Sequence, residues 1–187
     1  MSPRNYRLGR REEAVKRTRA SILTAARDLL ASGGRNGLSA GAVARGAGVS
    51  RITVYNQFGS KEGLLRELAE GARPRRSGVP APADSREELR RQIFEASSMW
   101  ASDPALFRGL PATARGELEP PGQDRALAER LAATGQLRPG CSIKEAEDVI
   151  GAVTSFAVFD RLHRDGRRST AAVSEILLRM AAAILAA

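Results

Sequence analysis

Apolar positions recur at helical spacing along almost the whole chain. Val15, Ile22, Ala25, Ala26, Leu29 and Leu30 return every three or four residues, predicting an amphipathic helix over 12–31 that stops at Gly33-Gly34. Ser39 then caps a short helix over 39–46 that turns Val43 and Ala44 inward. Gly46-Ala47-Gly48-Val49 makes a turn, and Ser50 caps a third helix over 50–56, with Val54 and Phe58 on its inner side. Ser60, Glu62 and the stripe Leu64-Leu65-Leu68 begin a fourth helix, its acid complementing the helix dipole. The stretch GARPRRSGVPAPADS, residues 71–85, holds three prolines and no period, so the chain breaks there. Further on, Ser85 caps a helix through Ala101 with Leu89, Ile93, Ala96 and Trp100 on one stripe. Asp103-Pro104 opens another helix that Pro111 kinks, and one more runs over 122–134. Two long helices, 142–164 and 169–186, are apolar on more than one face.

Composition narrows this to an all-α fold. Only 4% of the 187 residues are aromatic and strand formers never alternate for long, while Ala, Leu, Arg and Glu dominate. With 42% hydrophobic residues the chain can bury a real core. Its one cysteine, Cys141, excludes an intrachain disulfide, and no segment reads as a signal peptide or a membrane span, so a reducing cytoplasm is the expected compartment.

Charge changes the picture once it is located. Residues 1–76 hold 16 Lys and Arg against 6 Asp and Glu, whereas residues 77–187 hold 14 against 15, so the net +9 is N-terminal. The choice of Arg, 27 of the 30 basic residues, reflects composition, but the asymmetry is that of a polyanion binder. Two short helices joined by a glycine turn, inside this basic part, form a helix-turn-helix whose second helix fits the major groove. With Val54 and Phe58 inward, Arg51, Ile52, Thr53, Tyr55, Asn56 and Gln57 lie on or near its outer face. Arg51 is equipped to donate twice to a guanine, Ile52 to meet a thymine methyl, and Tyr55 to reach a phosphate with its hydroxyl.

Residues 17–65 resemble the DNA-binding domain of the TetR family of bacterial transcriptional regulators. The series is Ile22-Leu23, Ala25-Ala26, Ser39, Val43-Ala44, Ala47-Gly48-Val49-Ser50, Thr53-Val54-Tyr55, Phe58, Ser60-Lys61-Glu62 and Leu64-Leu65, in order and uninterrupted. The resemblance implies phosphate contacts from Ser39, Tyr55 and Lys61, and contacts to bases or adjacent backbone from Arg51, Ile52 and Thr53; Ser50 joins the phosphate candidates, and Asn56 and Gln57, from their outward position, join the base-facing ones. It implies a homodimer on double-stranded operator DNA, joined through the last two helices, and release by a small-molecule effector. Gly41 departs from the pattern: it stands where some relatives carry a base-reading side chain and can read nothing itself, leaving Arg51 a larger share. Gly41 and Gly46 also cost a short helix roughly 1 kcal/mol each relative to alanine.

The expected organisation is a disordered basic arm over 1–11, a helix-turn-helix domain over 12–72, a linker over 73–84 and a ligand-binding and dimerisation domain over 85–187. Two readings of the arm stand: Arg4, Arg7, Arg10 and Arg11 enter a minor groove, or they form a solvated tail that raises general affinity. Candidate effector-lining residues are Phe94, Ser97, Trp100, Phe107, Thr154 and Val158, against the plainer reading that aromatics at helical spacing are core. Val149, Val153, Phe156, Val173, Ile176, Leu177, Met180 and Ile184 are the candidate dimer stripe. With one histidine, His163, no Cys-x-x-Cys, no His-Glu-x-x-His and no phosphate-binding glycine loop, neither an enzyme nor a metal or cofactor site is expected. A basic helical protein lying on anionic membrane is the alternative class, but its arginines are spread over polar surfaces rather than along one strongly apolar helix.

Overall fold

Capping chemistry sets the helix boundaries in the first part of the chain. The computed structural model describes residues 3–72, 84–116, 118 and 122–186, and its regular elements there are all helical, with one isolated bridge between Leu137 and Leu185. Helix α1 spans Pro3–Gly37. It begins well before residue 12 because Arg, Leu, Glu and Ala are helix formers, Pro3 suits a first turn, and lengthening a helix is far cheaper than nucleating one. The backbone of Arg4, Arg7, Arg10 and Arg11 is therefore helical, not the disordered arm expected from the missing apolar period. The same helix runs past Gly33-Gly34. Its buried stripe is Ile22, Ala25, Ala26 and Leu30, while Val15 is 46% exposed and lies off the core.

Helix α2 (Ala40–Ala47) starts where Ser39 accepts the Ala42 N–H at 3.1 Å, and ends at Gly48, whose φ of 66° is the left-handed conformation glycine adopts without strain. Helix α3 (Arg51–Phe58) is capped by Ser50, which accepts the Thr53 N–H at 3.0 Å. Helix α4 (Lys61–Gly71) is capped by Ser60, which accepts the Gly63 N–H at 3.0 Å. Ile22, Val43, Val54, Leu64 and Leu68 form the shared core of these four helices, each buried side chain contributing about 1.5–3 kcal/mol.

The chain forms two compact units. The first is Met1–Gly71 with Ala105–Ala114, and the second is Ala72–Pro104 with Arg115–Ala187. Placing 105–114 with the first unit departs from the sequence reading, which gave it to the C-terminal half. The reason is close packing: a Cβ on Gly109 would sit 2.9 Å from Leu30 Cδ2, so that backbone passes directly over α1. Leu106, Phe107 and Leu110 are fully buried there. The second unit contains α5 (Ser85–Ser102), capped by Asp84 rather than by Ser85, then α8 (Gln123–Ala133), α9 (Ile143–Thr154), α10 (Phe156–Asp160) and α11 (Thr170–Ala181). The short α6 (Pro104–Gly109) and α7 (Ala112–Gly116) lie between α5 and α8 in sequence.

The helix expected over 142–164 is broken. Ser155 adopts extended ψ 147°, its hydroxyl caps α10 by accepting the Val158 N–H at 3.4 Å, and Arg161–Asp165 closes as a π-turn. The last helix likewise stops at Ala181. Breaking and folding back buries what the sequence assigned to a dimer stripe: Val153, Phe156, Val173, Leu177 and Ile184 are at most 6% exposed inside their own unit. An apolar residue on a helix does not announce whether its neighbour is its own chain. Val149 and Ile176 are half-buried and Met180 is 43% exposed, so these three remain on the surface.

The two glycines of α2 separate in role. A Cβ on Gly46 would stand 3.1 Å from Ala25 Cβ, so Gly46 lets α2 approach α1 closely rather than merely softening the helix. A Cβ on Gly41 would meet Arg51 Cδ at 3.6 Å and Arg45 Nη1 at 3.7 Å, which is ordinary contact. Gly41→Ala is accordingly expected to stabilise the protein by about 0.5–1 kcal/mol, raising Tm by roughly 2–4 °C. Gly46→Ala is expected to give no such gain. Thermal unfolding of the pair checks both.

Candidate nucleic-acid interface

Three helix starts and one exposed helix face make the interface. The N-termini of α2, α3 and α4 each leave backbone N–H groups without helical partners, and an α-helix concentrates partial positive charge at that end. Ser39, Tyr55, Ser60 and Lys61, from three different helices and their caps, line one concavity together with Leu38, Ala40, Val43, Val54 and Leu64. Its floor is apolar and its rim carries hydroxyls and an ammonium, suited to an anionic oxygen above and a sugar or ring edge below. Three of the four residues expected at phosphates, Ser39, Tyr55 and Lys61, meet here. Ser50 stands apart, at the start of α3.

Glu62 lies beside Lys61 in the first turn of α4. Its own backbone N–H and the Ser60 hydroxyl hold its carboxyl below the ordinary carboxylate range, so it is committed to the helix end. Lys61 is exposed and forms no ion pair among the described residues.

On α3 the outward residues are unequal. Arg51, Ile52, Tyr55 and Asn56 are exposed, Ile52 to 71% and Tyr55 to 52%. A single exposed isoleucine is ordinary on a protein surface, but among the described residues nothing covers Ile52, so its side chain is open to solvent. Thr53 is half-buried and its hydroxyl shares a 2.9 Å hydrogen bond with that of Ser50, so both are engaged at the helix cap. Gln57 is half-buried, and its backbone carbonyl accepts from Arg19 Nη1 at 2.7 Å. Arg51, Ile52 and Asn56 are the residues best free to meet base edges.

Sequence reasoning missed Arg19 and Glu67. Arg19 projects from α1, donates to the Gln57 carbonyl at the end of α3, donates through Nε to Glu67 Oε1 at 2.8 Å on α4 and through Nη2 to Glu67 Oε2, and lies 4.5 Å from the Phe58 ring centroid. A planar fork with five donors makes this possible, as lysine could not. One guanidinium thereby joins three helices and fixes where α3 ends. No spacing in the sequence could have signalled it, since the partners are 38 and 48 residues away. A second close approach is at Gly63, where a Cβ would run into the Phe58 carbonyl oxygen.

Of the effector candidates, Trp100 and Thr154 do meet, but as core: the indole N–H donates to the Thr154 carbonyl at 2.7 Å, and the Trp100 ring stands edge-on to Phe156 at 5.4 Å. Phe107 belongs to the first unit while Phe94, Ser97, Trp100, Thr154 and Val158 belong to the second. Phe94 and Val158 are half-buried. His163 stacks on Phe159 at 5.2 Å and pairs through Nδ1 with the Arg168 carbonyl, a structural role.

The family model described as bacterial regulatory proteins, tetR family, matches residues 22–68. The HTH-type transcriptional regulator AlkX of Mycobacterium tuberculosis is 47% identical over 51 residues, which are 27% of this chain and 24% of that protein, so the match spans about a quarter of the relative's length. NalD, the secondary repressor of the MexAB-OprM multidrug efflux pump in Pseudomonas aeruginosa, superposes with TM-score 0.67 at 22% identity, covering 92% of this chain and 98% of that one. The fatty acid degradation regulator FadR of Bacillus halodurans gives TM-score 0.67 at 19% identity, covering 87% and 93%. At these identities the structures show a shared all-helical fold.

Proposed function

We propose that this chain, whose N-terminal module belongs to the tetR family of bacterial regulatory proteins, is a sequence-specific DNA-binding transcriptional regulator that represses from a near-palindromic operator as a homodimer. The observation that carries this reading is the convergence of Ser39, Tyr55 and Lys61 from separate helices into one anion-facing concavity beside the exposed Arg51, Ile52 and Asn56. Phosphate contacts there would set the register, and α3 would then lie along base edges. The family's regulators are not enzymes, and the roles given to these side chains are binding roles.

The test is selection of bound sequences from random duplex DNA. A regulator of this kind enriches an inverted repeat with half-sites about one helical turn apart, and its affinity falls steeply with salt. Arg51→Ala is expected to flatten preference at one base pair, at about 1–3 kcal/mol, while Lys61→Ala weakens all sequences alike and lowers the salt slope by about 1. A protein that binds every duplex equally would end this reading. Among the described residues no helix is long and apolar enough to cross a membrane, and a cytoplasmic site of action fits a DNA partner.

Dimerisation rests on Val149, Ile176 and Met180, the surface remainder of the last helices, and sedimentation of the purified protein checks it. Release by a small-molecule effector is supported by Ser97 in the second unit: it is fully buried, and its hydroxyl finds no hydrogen-bond partner among the described residues. Buried hydroxyls are nearly always paired, so an unpaired one is a natural contact for a polar ligand atom. Such a ligand acts only through different affinities for DNA-competent and DNA-incompetent states.

A further inference from the structure

Arg45 occupies the last turn of α2. A cation there ordinarily faces the helix's final carbonyls, where the dipole is negative. Its side chain instead runs back along the helix, as long helical side chains tend to, placing Nη1 within 3.7 Å of a Cβ built on Gly41, one turn earlier on the same face. Arg51 reaches the same spot from α3, its Cδ 3.6 Å from that Cβ. The missing side chain at Gly41 is therefore a slot flanked by two arginines. Both are exposed, and neither has an ion-pair partner among the described residues.

The Arg45 guanidinium and the stem of Arg51 thus meet beside one position, and both exposed cations are available to an acceptor-rich partner lying along that surface. Each is a planar fork matched to the paired O6 and N7 acceptors of guanine. Val43 is buried on the face of α2 opposite Gly41 and Arg45, and Arg45 is exposed.

Resting on the DNA-binding reading above, we propose that Arg45 is a second base-reading residue: it reads a guanine neighbouring the one met by Arg51, through the slot left by Gly41. A Cβ at position 41 would only touch both arginines, whereas a longer side chain there would compete with them for the same surface.

The experiment is parallel selection from random duplex DNA with the full-length protein, Arg45→Ala, Arg45→Lys and Arg51→Ala, with thermal unfolding confirming that each variant is folded. Arg45→Ala is expected to reduce discrimination at one base pair of each half-site by roughly 5- to 150-fold, at a position different from the one changed by Arg51→Ala. Arg45→Lys keeps the charge without the fork and is expected to recover overall affinity but not the lost preference. If the unmodified protein enriches a motif that Arg45→Ala also enriches with undiminished preference and uniformly weaker binding, Arg45 is a phosphate contact and the proposal is overturned, the DNA-binding reading standing. If the unmodified protein enriches no motif, both fall together.

Discussion

Under the proposed DNA-binding function, Arg19→Ala is expected to weaken DNA binding more than loss of any one of Arg51, Ile52, Asn56 or Lys61, although Arg19 lies on α1 and is only part-exposed. Three helices lose their common anchor at once. The hydrogen bond from a charged donor to the Gln57 carbonyl contributes about 1.5–3 kcal/mol. The Glu67 pair contributes less, because both side chains are about one-third exposed, 36% and 33%, and water screens them. Packing of the guanidinium on Phe58 adds roughly 0.5–1 kcal/mol. We expect about 2–4 kcal/mol of lost stability in the first unit and at least a tenfold drop in affinity across all sequences, since a loosened α3 misplaces every contact it makes. Arg19→Lys restores little, because one ammonium cannot serve both the carbonyl and the carboxylate. Glu67→Gln keeps an acceptor and is milder. Denaturant unfolding and fluorescence titration with operator DNA measure the two effects, and hydrogen exchange over 51–58 shows whether α3 frays. Unchanged exchange there with intact affinity would show that α3 holds its position without Arg19.

The second large effect is at Trp100, and it falls on the other unit. Ser155 leaves helical geometry, so the Thr154 carbonyl takes its hydrogen bond from the Trp100 indole. Trp100 is 1% exposed and touches Phe156 edge-on. Trp100→Ala removes the ring and the donor and is expected to cost about 3–5 kcal/mol, a large part of the whole stability of a typical domain. Trp100→Phe keeps most of the packing and loses the donor, leaving a buried carbonyl unpaired at about 1–3 kcal/mol. Circular dichroism during denaturation follows both, since the protein's one tryptophan is lost as a fluorophore. Equal stability of the phenylalanine variant and the parent would show that the break at Ser155 does not depend on the indole.

These two sites also show where sequence reasoning stops. The caps Ser39, Ser50 and Ser60 were legible because capping is local: a hydroxyl reaches an N–H three residues on, so spacing alone reveals it. The inward set Ile22, Val43, Val54 and Leu64 was legible because helical period and burial are tied together. Tyr55 and Lys61 could be named as candidate phosphate contacts from their order along the chain, and they line one concavity with Ser39.

The dimer stripe could not be read in the same way. Period distinguishes apolar faces from polar ones but not an internal neighbour from an external one, and Val153, Phe156, Val173, Leu177 and Ile184 turned out to be interior once the chain broke at Ser155. The start of α1 at Pro3 was equally hidden, because an apolar period marks packing whereas helix propensity continues without it.

What the sequence determined by itself is therefore what acts over one or two helical turns: helix identity, caps, the inner faces of the N-terminal module and its excess of positive charge. Tertiary structure alone decided which side chains are free and which are engaged. Arg19 and Arg51 are the same residue type in the same basic segment, yet one is bound to a carbonyl and a carboxylate tens of residues away and the other stands in the open. Long-range partners are chosen by how helices cross, and a crossing depends on the summed packing of many residues rather than on any local spacing.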